Sequence, residues 1–316
     1  MREETISCVI VAVLLAASAP SALAQETTYP VTIQNGPYTF TVEDAPERAV
    51  GIGTQQIEIM LALGLADRMV GTAFASSTPV LPEFEDEFNA IPSLAERNPS
   101  LEVVLGAEAD FTYGTNRSYQ DVAPLETLQE YGIAPMVPEA DSVLGATMEN
   151  VYSDIRNLGI IFDIQPRAQD LIAEMQAEIE DVGALVGDVS DPVSVLLYDG
   201  GTDTVLTDGQ ALSSYLIELA GGRNIFADMN ERMVTVSLEE IVARNPDVIV
   251  VVDPYGTTTA EEKIAFLESS PAFASVTAVQ NDNYVLVSLP ALQPGVRNAD
   301  AVRTMAEGFY PELFRE

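Results

Sequence analysis

Carboxylates, arginines and tyrosines are the side chains with which this sequence could do chemistry, because it contains no histidine. That absence excludes nucleophiles activated by histidine, the usual catalytic zinc sites and histidine-ligated haem. Lys263 is the single lysine, which excludes a Walker-type phosphate loop and disfavours Schiff-base chemistry. The G-x-S-x-G elbow of an α/β hydrolase is also missing. We therefore predict a protein that is not an enzyme, with no catalytic residue and no resident cofactor.

Two glutamates occupy equivalent places in a short internal repeat. Ser-Leu-Glu occurs at residues 100–102 and again at 237–239, each time followed by an apolar helix, an aspartate and an apolar strand. In both copies the serine is placed to cap the helix, and the glutamate lies in the first turn, where the helix dipole favours negative charge. Glu102 and Glu239 are therefore either solvated helix starts or a matched pair in two related halves.

The net charge of the chain excludes one class of binding partner. It has 49 acidic and 14 basic residues, a formal charge of −35, and no cluster of basic residues. Such a surface repels phosphate backbones, so nucleic acid is excluded as a partner. The hydrophobic share of 47% is that of a folded protein, and 316 residues correspond to roughly two domains.

We also expect the protein to be a monomer.

The first 24 residues resemble a signal peptide. Residues 8–17 form an apolar run that is too short to span a bilayer, and Ala22-Leu23-Ala24 makes a small-x-small cleavage site. Cys8 lies at the start of that run, so it cannot be a lipid-attachment cysteine. The sequence therefore predicts an exported, periplasmic protein that is not a lipoprotein. Its mature chain would contain no cysteine and hence no disulfide bond.

The hydrophobic patterns predict an α/β fold of two lobes. Residues 29–42 alternate around Asn35-Gly36 and predict a β-hairpin. Strand and helix patterns then alternate, which indicates mostly parallel sheets. Two helical patterns interrupt this alternation, and the second, at about 165–186, predicts one long helix. We predict an N-terminal lobe at 25–146, a helical segment at 147–187 and a C-terminal lobe at 188–316.

Several segments together resemble one protein family. They are RAVGIGTQQIEIMLALGLADRMVGTA, the two Ser-Leu-Glu elements, LIELAGGRNIFAD, IVARNPDVIVVVD and PGVRNADAVRTMAEGFYPE. Together they are similar to the substrate-binding proteins of ABC importers for ferric siderophores, haem and cobalamin. The resemblance implies two α/β lobes joined by a single rigid helix, with a ligand cleft between the lobes. It also implies that Glu102 and Glu239 dock into arginine pockets of the membrane permease.

The resemblance also directs attention to the loops that follow the apolar strands. The candidate ligand-binding residues are Gln55, Phe74, Tyr113, Asn116, Arg117, Tyr198, Arg232, Tyr255 and Arg297. Arginine offers a fixed fork of donors and tyrosine a flat face with a polar tip, which suit a bulky anionic chelate. Each arginine could instead pair with a carboxylate, and Tyr198 could pack at a strand end. Met233 stands where the family often has tryptophan.

A ferric siderophore or similar iron complex is the expected ligand, with haem or cobalamin as the alternative. Haem would need a tyrosine ligand, such as Tyr113 or Tyr255, because histidine is absent. Direct metal binding is not expected: zinc and manganese sites in related proteins use histidine, and bare ferric iron stays a minor alternative. Asp199, Asp203 and Asp208 could suggest a calcium loop, but their spacing does not fit the twelve-residue hand.

Overall fold

A β-hairpin opens the part of the chain that the structure describes. The computed structural model describes residues 26–75, 79–114, 122–187, 189–253 and 258–315, so the predicted signal peptide lies outside it. Strands Val31–Asn35 (β1) and Tyr38–Val42 (β2) pair antiparallel. Gly36 adopts a φ of 55° in the turn between them, a conformation that favours glycine. The predicted hairpin is confirmed.

The first lobe, called the N-lobe, is built on a parallel sheet with the strand order β5-β4-β3-β6-β7. Its strands are Ala49–Ile52 (β3), Met69–Ala73 (β4), Ser93–Ala95 (β5), Phe111–Gly114 (β6) and Ala134–Met136 (β7). Its described helices are Thr54–Ala62 (α1), Glu85–Ala90 (α2), Leu101–Gly106 (α3) and Leu125–Glu130 (α4). Because the strands run in one direction, their carboxyl ends share an edge, where Ile52 lies opposite Ala73 and Gly114.

Two consecutive helices follow, Met148–Ile161 (α5) and Gln165–Val186 (α6). Proline in the first turn of α6 suits a helix start, because that position needs no N–H donor. The 22 residues of α6 span about 33 Å. The helix buries an apolar stripe consisting of Ala168, Ile172, Met175 and Val182. The predicted connecting helix at 165–186 is therefore confirmed.

The second lobe, called the C-lobe, combines a parallel sheet in the order β10-β8-β12-β13 with an antiparallel pair, β9 and β11. Its strands are Val193–Tyr198 (β8), Thr204–Asp208 (β9), Gly222–Asn224 (β10), Met233–Ser237 (β11), Val248–Asp253 (β12) and Tyr284–Ser288 (β13). Its described helices are Leu212–Leu219 (α7), Leu238–Arg244 (α8), Ala260–Ser269 (α9), Thr277–Gln280 (α10), Leu289–Leu292 (α11) and Asn298–Phe309 (α12). The predicted α/β fold of two lobes is confirmed, whereas the strands β5, β7, β9, β10 and β11 were missed.

The internal repeat has a physical basis in two matched aspartates. Before β6, the carboxylate of Asp110 accepts hydrogen bonds from the N–H groups of Glu47 and Arg48 at 2.8 and 3.0 Å. Before β12, Asp247 accepts bonds from the N–H and hydroxyl of Ser194 at 3.0 and 2.7 Å. Asp110 thus connects the start of β6 to the start of β3, and Asp247 connects the start of β12 to the start of β8. The two lobes therefore repeat one arrangement of helix, aspartate and strand.

One continuous apolar core joins the lobes through α6. Phe111 of β6, Val182 of α6, Val250 of β12 and Val302 of α12 are all fully buried in it. The connecting helix is consequently packed against both lobes. Among the described residues, no helix combines the length and the apolar character needed to cross a bilayer.

Candidate ligand cleft and docking surface

The N-lobe side of the cleft begins at the carboxyl edge of its sheet. Gly53 follows β3 with a φ of 102°, and a Cβ there would lie 2.6 Å from the side-chain oxygen of Gln56. Only glycine fits this turn, which leads directly into α1. Phe74 follows β4 with a φ of 54° and is half-buried. This edge therefore presents the amino end of α1 and one aromatic side chain.

The C-lobe contains a small open cavity beyond β8. Its volume is about 410 Å³, and it is lined by Asp199, Gly200, Gly201, Thr204, Leu206 and Thr235. Beneath it, the ammonium group of Lys263 donates to the carbonyl oxygens of Asp199 and, at 2.7 Å, Val252. Burial lowers the pKa of Lys263, while Asp199 and Asp253 oppose that shift. The only lysine in the sequence thus holds the carboxyl ends of β8 and β12 together.

Contacts across the lobes show that the two edges face each other. The Gln55 side chain, at the start of α1, donates to the Gln293 side chain, which follows α11. On another part of the seam, the N–H of Gly145 donates to the carbonyl oxygen of Gln210 at 2.9 Å. Gln55 is only 5% exposed, so the structure places it in the contact between lobes rather than on an open surface.

Arg297 was predicted to contact ligand, but the structure uses it to bridge the lobes. Its Nε and Nη2 atoms donate to the two carboxylate oxygens of Glu58 in α1, at 2.8 and 2.5 Å. Nη2 also donates to the carbonyl oxygen of Pro79 at 2.7 Å. The guanidinium fork is therefore occupied by protein groups, which places Arg297 in the contact between the lobes.

Arg232 also forms an ion pair across the seam, yet it retains open surface. Its Nη2 atom donates to Asp141 Oδ1 at 2.8 Å, and its side chain is 37% exposed. Burial raises the pKa of Asp141, although the charge of Arg232 opposes the shift. The alternative of pairing with a carboxylate is what the structure shows. Its exposed side nevertheless remains accessible to a ligand.

The two described tyrosine candidates are buried. Tyr113 lies wholly within the N-lobe core, where its ring packs in the apolar cluster. Tyr198 is 2% exposed and donates its hydroxyl hydrogen to the carbonyl oxygen of Gly201 at 2.7 Å. Burial raises the pKa of Tyr198 to about 12. In this structure both rings are packed inside the protein, and neither presents an open surface. Asn116, Arg117 and Tyr255 lie outside the described residues.

The two repeated glutamates are exposed at equivalent helix starts. Glu102 lies in the first turn of α3, where the hydroxyl of Ser100 accepts a bond from the N–H of Val103 at 3.4 Å. Glu239 lies in the first turn of α8, whose cap is the hydroxyl of Ser237. A hydrogen bond with Ser100 and the helix-start N–H groups lower the pKa of Glu102. One exposed carboxylate therefore stands on each lobe.

Comparison with known proteins decides the family. Residues 50–288 match the family model described as periplasmic binding protein. The chain belongs to this family. The binding protein is 24% identical over 295 residues to an uncharacterized ABC transporter substrate-binding lipoprotein, YvrC, of Bacillus subtilis, which spans 91% of this chain and 88% of the relative. As a binding protein of an ABC importer, it binds a small ligand and partners the permease components.

Two further similarities bear on the class of ligand. The binding protein is 25% identical over 290 residues to a cobalamin-binding protein of Halobacterium salinarum, covering 89% of this chain and 74% of the relative. It also resembles a crystal structure of an ABC-type Fe3+-hydroxamate transport system from Saccharomonospora viridis. That similarity has a TM-score of 0.75 and 26% identity, and covers 89% of this chain and 99% of the other. The predicted family and its two-lobed fold are confirmed.

Sequence reasoning missed several residues at the lobe seam of the binding protein. Glu58 and Asp141 pair with predicted arginines, and Gln293 pairs with Gln55. Leu144, which precedes Gly145, is a large apolar side chain that is 47% exposed. Met233, which was already noted from the sequence, is 52% exposed. For Glu58 the sequence carried a signal, because it is the one charged residue in the α1 sequence TQQIEIMLA.

The three aspartates considered for calcium do not form one site in the binding protein. Asp208 is half-buried and accepts a hydrogen bond from the hydroxyl of Ser213 at 2.5 Å. Asp203 is exposed, and Asp199 lines the small cavity. Within the described ranges, no group of three or more acidic, histidine or cysteine side chains is arranged to hold a metal ion.

Proposed function

We propose that this binding protein captures a ferric siderophore or a related iron chelate between its lobes and delivers it to an ABC importer. The observation that carries the proposal is the facing pair of carboxyl edges in a chain that aligns along almost its whole length with a ferric-hydroxamate transport protein. Parallel α/β sheets bind ligands at this edge, where polar loops from several strands converge. The protein itself would catalyse no reaction.

The accessible side chains at the seam suit a bulky chelate with apolar and anionic parts. Met233 and Leu144 expose apolar surface on the C-lobe and N-lobe, and Phe74 adds an aromatic edge. Arg232 carries a positive charge between them, with more than a third of its side chain open. In a chain of charge −35, the exposed part of this guanidinium group offers hydrogen-bond donors to an anion, although Asp141 balances its charge. Asn116, Arg117 and Tyr255 remain proposed contributors.

Cobalamin is the second candidate, and the similarity to the cobalamin-binding protein favours it over haem. Haem would need an axial ligand from the protein, and histidine is absent. Of the two tyrosines proposed for that role, Tyr113 is buried in the core. Only Tyr255 would be left, whereas cobalamin carries its own axial base and needs no axial ligand from the protein.

Tyrosine fluorescence of the mature protein tests ligand capture. The chain has 11 tyrosines and no tryptophan, so a coloured ferric chelate bound at the seam should quench the tyrosine signal saturably. A ferric trihydroxamate, a ferric catecholate, cobalamin and haem form the panel, and binding should also raise the melting temperature. Arg232→Gln should weaken binding of an anionic chelate, while Arg156→Gln, an exposed arginine on α5, serves as the matched control. No quench and no thermal shift with any member would contradict the proposal.

We also propose that Glu102 and Glu239 dock the protein on its permease. Carboxylates on both lobes can form charge-assisted pairs with arginines, and such pairs fix orientation as well as adding affinity. The double variant Glu102→Arg/Glu239→Arg should lose binding to the permease while ligand affinity stays unchanged. Glu47→Arg reverses the charge of another exposed glutamate and is the control. Undiminished permease binding by the double variant would refute the docking role.

Export follows from the same proposal. A binding protein must meet its ligand outside the inner membrane, and the amino-terminal 24 residues carry the features of a cleaved signal. We propose that the mature protein is periplasmic, monomeric and without a lipid anchor, unlike the lipoprotein relative. Mass spectrometry of the exported protein tests this proposal: the expected product begins at Gln25, and a lipid-modified cysteine would refute it.

A further inference from the structure

One face of α1 makes a buried polar contact with the C-lobe. Gln55 and Glu58, one helical turn apart, meet Gln293 and Arg297 of the segment between α11 and α12. Glu58 is fully buried, and Arg297 keeps 13% of its side chain exposed. Both partners of the ion pair have further bonds: the N–H of Leu81 donates to Glu58 Oε1 at 2.8 Å, and Arg297 donates to a backbone carbonyl oxygen. The pair is therefore well satisfied on both sides.

The C-lobe segment that carries Arg297 is itself held rigidly. Asn298 is fully buried, and its side-chain nitrogen donates to the carbonyl oxygens of Ala291 and Gln293, each at 2.8 Å. Its side-chain oxygen accepts a bond from the N–H of Gly295 at 3.0 Å. These three bonds close the loop on itself. The guanidinium group of Arg297 is thus presented to Glu58 from a fixed backbone, which favours a single lobe spacing.

This pair differs from the other ion pairs among the described residues. In each of those, the carboxylate side chain is at least 15% exposed, whereas Glu58 is 0% exposed. Ion pairs exposed to solvent are weak and yield easily, but a bidentate pair in a dry contact has one allowed geometry. Buried charges are poor sources of stability, and their better-attested use is to fix register. Here the register is the position of one lobe relative to the other.

We propose that Glu58 and Arg297 are positioning residues that set the distance between the docking carboxylates Glu102 and Glu239. The inference rests on the docking role proposed above. Glu102 stands on α3 of the N-lobe and Glu239 on α8 of the C-lobe, so their separation depends on how the lobes are held. The connecting helix α6 joins the lobes, and among the contacts described across the seam this pair is the ion pair with a fully buried carboxylate. Breaking the pair should let the spacing vary and thereby weaken docking.

Double electron–electron resonance measures that spacing directly. The only cysteine of the chain lies in the predicted signal peptide, so Glu102→Cys/Glu239→Cys introduces the only spin-label sites in the mature protein. We expect one narrow distance distribution in this labelled parent. Adding Glu58→Gln, or the neutral double change Glu58→Gln/Arg297→Gln, should abolish that narrow distribution and give a broader or shifted one. Adding Arg156→Gln, which removes an exposed ion pair, should leave the distribution unchanged.

Folding and docking are measured on the same variants. The double change keeps the inference testable if the single change fails to fold, because it leaves no unpaired buried charge; circular dichroism verifies the fold. An unchanged narrow distribution in a folded pair-breaking variant would overturn the inference. A second result would also overturn the inference: a broadened distance distribution in the labelled pair-breaking variant, together with undiminished permease binding when the same pair-breaking change is made in the protein that keeps Glu102 and Glu239. Failure of the docking role itself would appear separately, as normal permease binding by the charge-reversed protein.

Discussion

Replacing Asp208 by asparagine should stabilise the protein at neutral pH, and the size of the effect follows from burial. Asp208 ends β9, is half-buried, and accepts a hydrogen bond on its carboxylate from the hydroxyl of Ser213 at 2.5 Å. Burial raises its pKa to about 6, with Asp199 adding to the shift. An aspartate in an unfolded chain titrates near 3.9, so the difference of about two pKa units corresponds to roughly 3 kcal/mol.

The sign of the effect is set by which state holds the proton. Between the two pKa values the folded protein binds the proton more strongly, so the free energy of unfolding decreases as the pH rises from about 4 to about 6. Above pH 6 the folded state carries a buried charge, and the whole destabilisation is present. Asp208→Asn has no charge to bury, so its advantage over the parent should be largest at pH 7.5 and largely absent at pH 4.

Urea unfolding at pH 4 and at pH 7.5 is the assay. Comparing the parent with Asp208→Asn at each pH cancels the titration of the other carboxylates, and Asp203→Asn at an exposed site is the matched control. We expect Asp208→Asn to gain up to about 3 kcal/mol at pH 7.5 and much less at pH 4. A gain that is the same at both pH values, or a loss at pH 7.5, would refute the reasoning from burial.

Three further substitutions test how the lobe edges are built, each by the free energy of unfolding in urea. Gly53→Ala should cost more than about 1 kcal/mol, because alanine is strained at a φ of 102° and its Cβ would clash; no loss would contradict that strain. Asp247→Ala should cost about 1–3 kcal/mol, because it leaves the N–H and hydroxyl of Ser194 without their acceptor, and a neutral result would argue against the tie. Lys263→Met should cost a similar amount by leaving two strand-end carbonyl oxygens without donors, and a gain would show that the buried charge is the larger cost.

Local patterns were enough to predict the architecture. The alternation of strand and helix patterns predicted the two lobes, and one long amphipathic pattern predicted α6. Both patterns could be recognised because they repeat within a few residues. The strands β5, β7 and β10 were missed because each has only three residues, which is too short for a pattern. The strands β9 and β11 were also missed, and they pair with each other outside the parallel sheet. The repeat of Asp110 and Asp247 was visible in sequence, and its hydrogen bonds explain why an aspartate stands at each strand entry.

The candidate site was harder to predict because it depends on contacts between distant residues. Glu58 and Arg297 are 239 positions apart, and no local pattern tells an arginine that binds ligand from one that binds a distant carboxylate. Tyr113 and Tyr198 were placed correctly at strand ends, but strand alternation alone did not settle whether their rings point into the core. From the sequence, Arg232 could either bind ligand or pair with a carboxylate. In the structure it forms an ion pair with Asp141, and part of its side chain stays exposed to solvent.

ATP-driven uptake into proteoliposomes tests the central claim most directly. The permease and ATPase of the same cell would be reconstituted, and uptake of the chelate identified in the fluorescence panel measured with and without the mature protein. We predict uptake that requires both the protein and ATP, and that is lost with Glu102→Arg/Glu239→Arg although the variant still binds the chelate. Uptake that proceeds equally without the protein would contradict its role as the binding protein of an ABC importer.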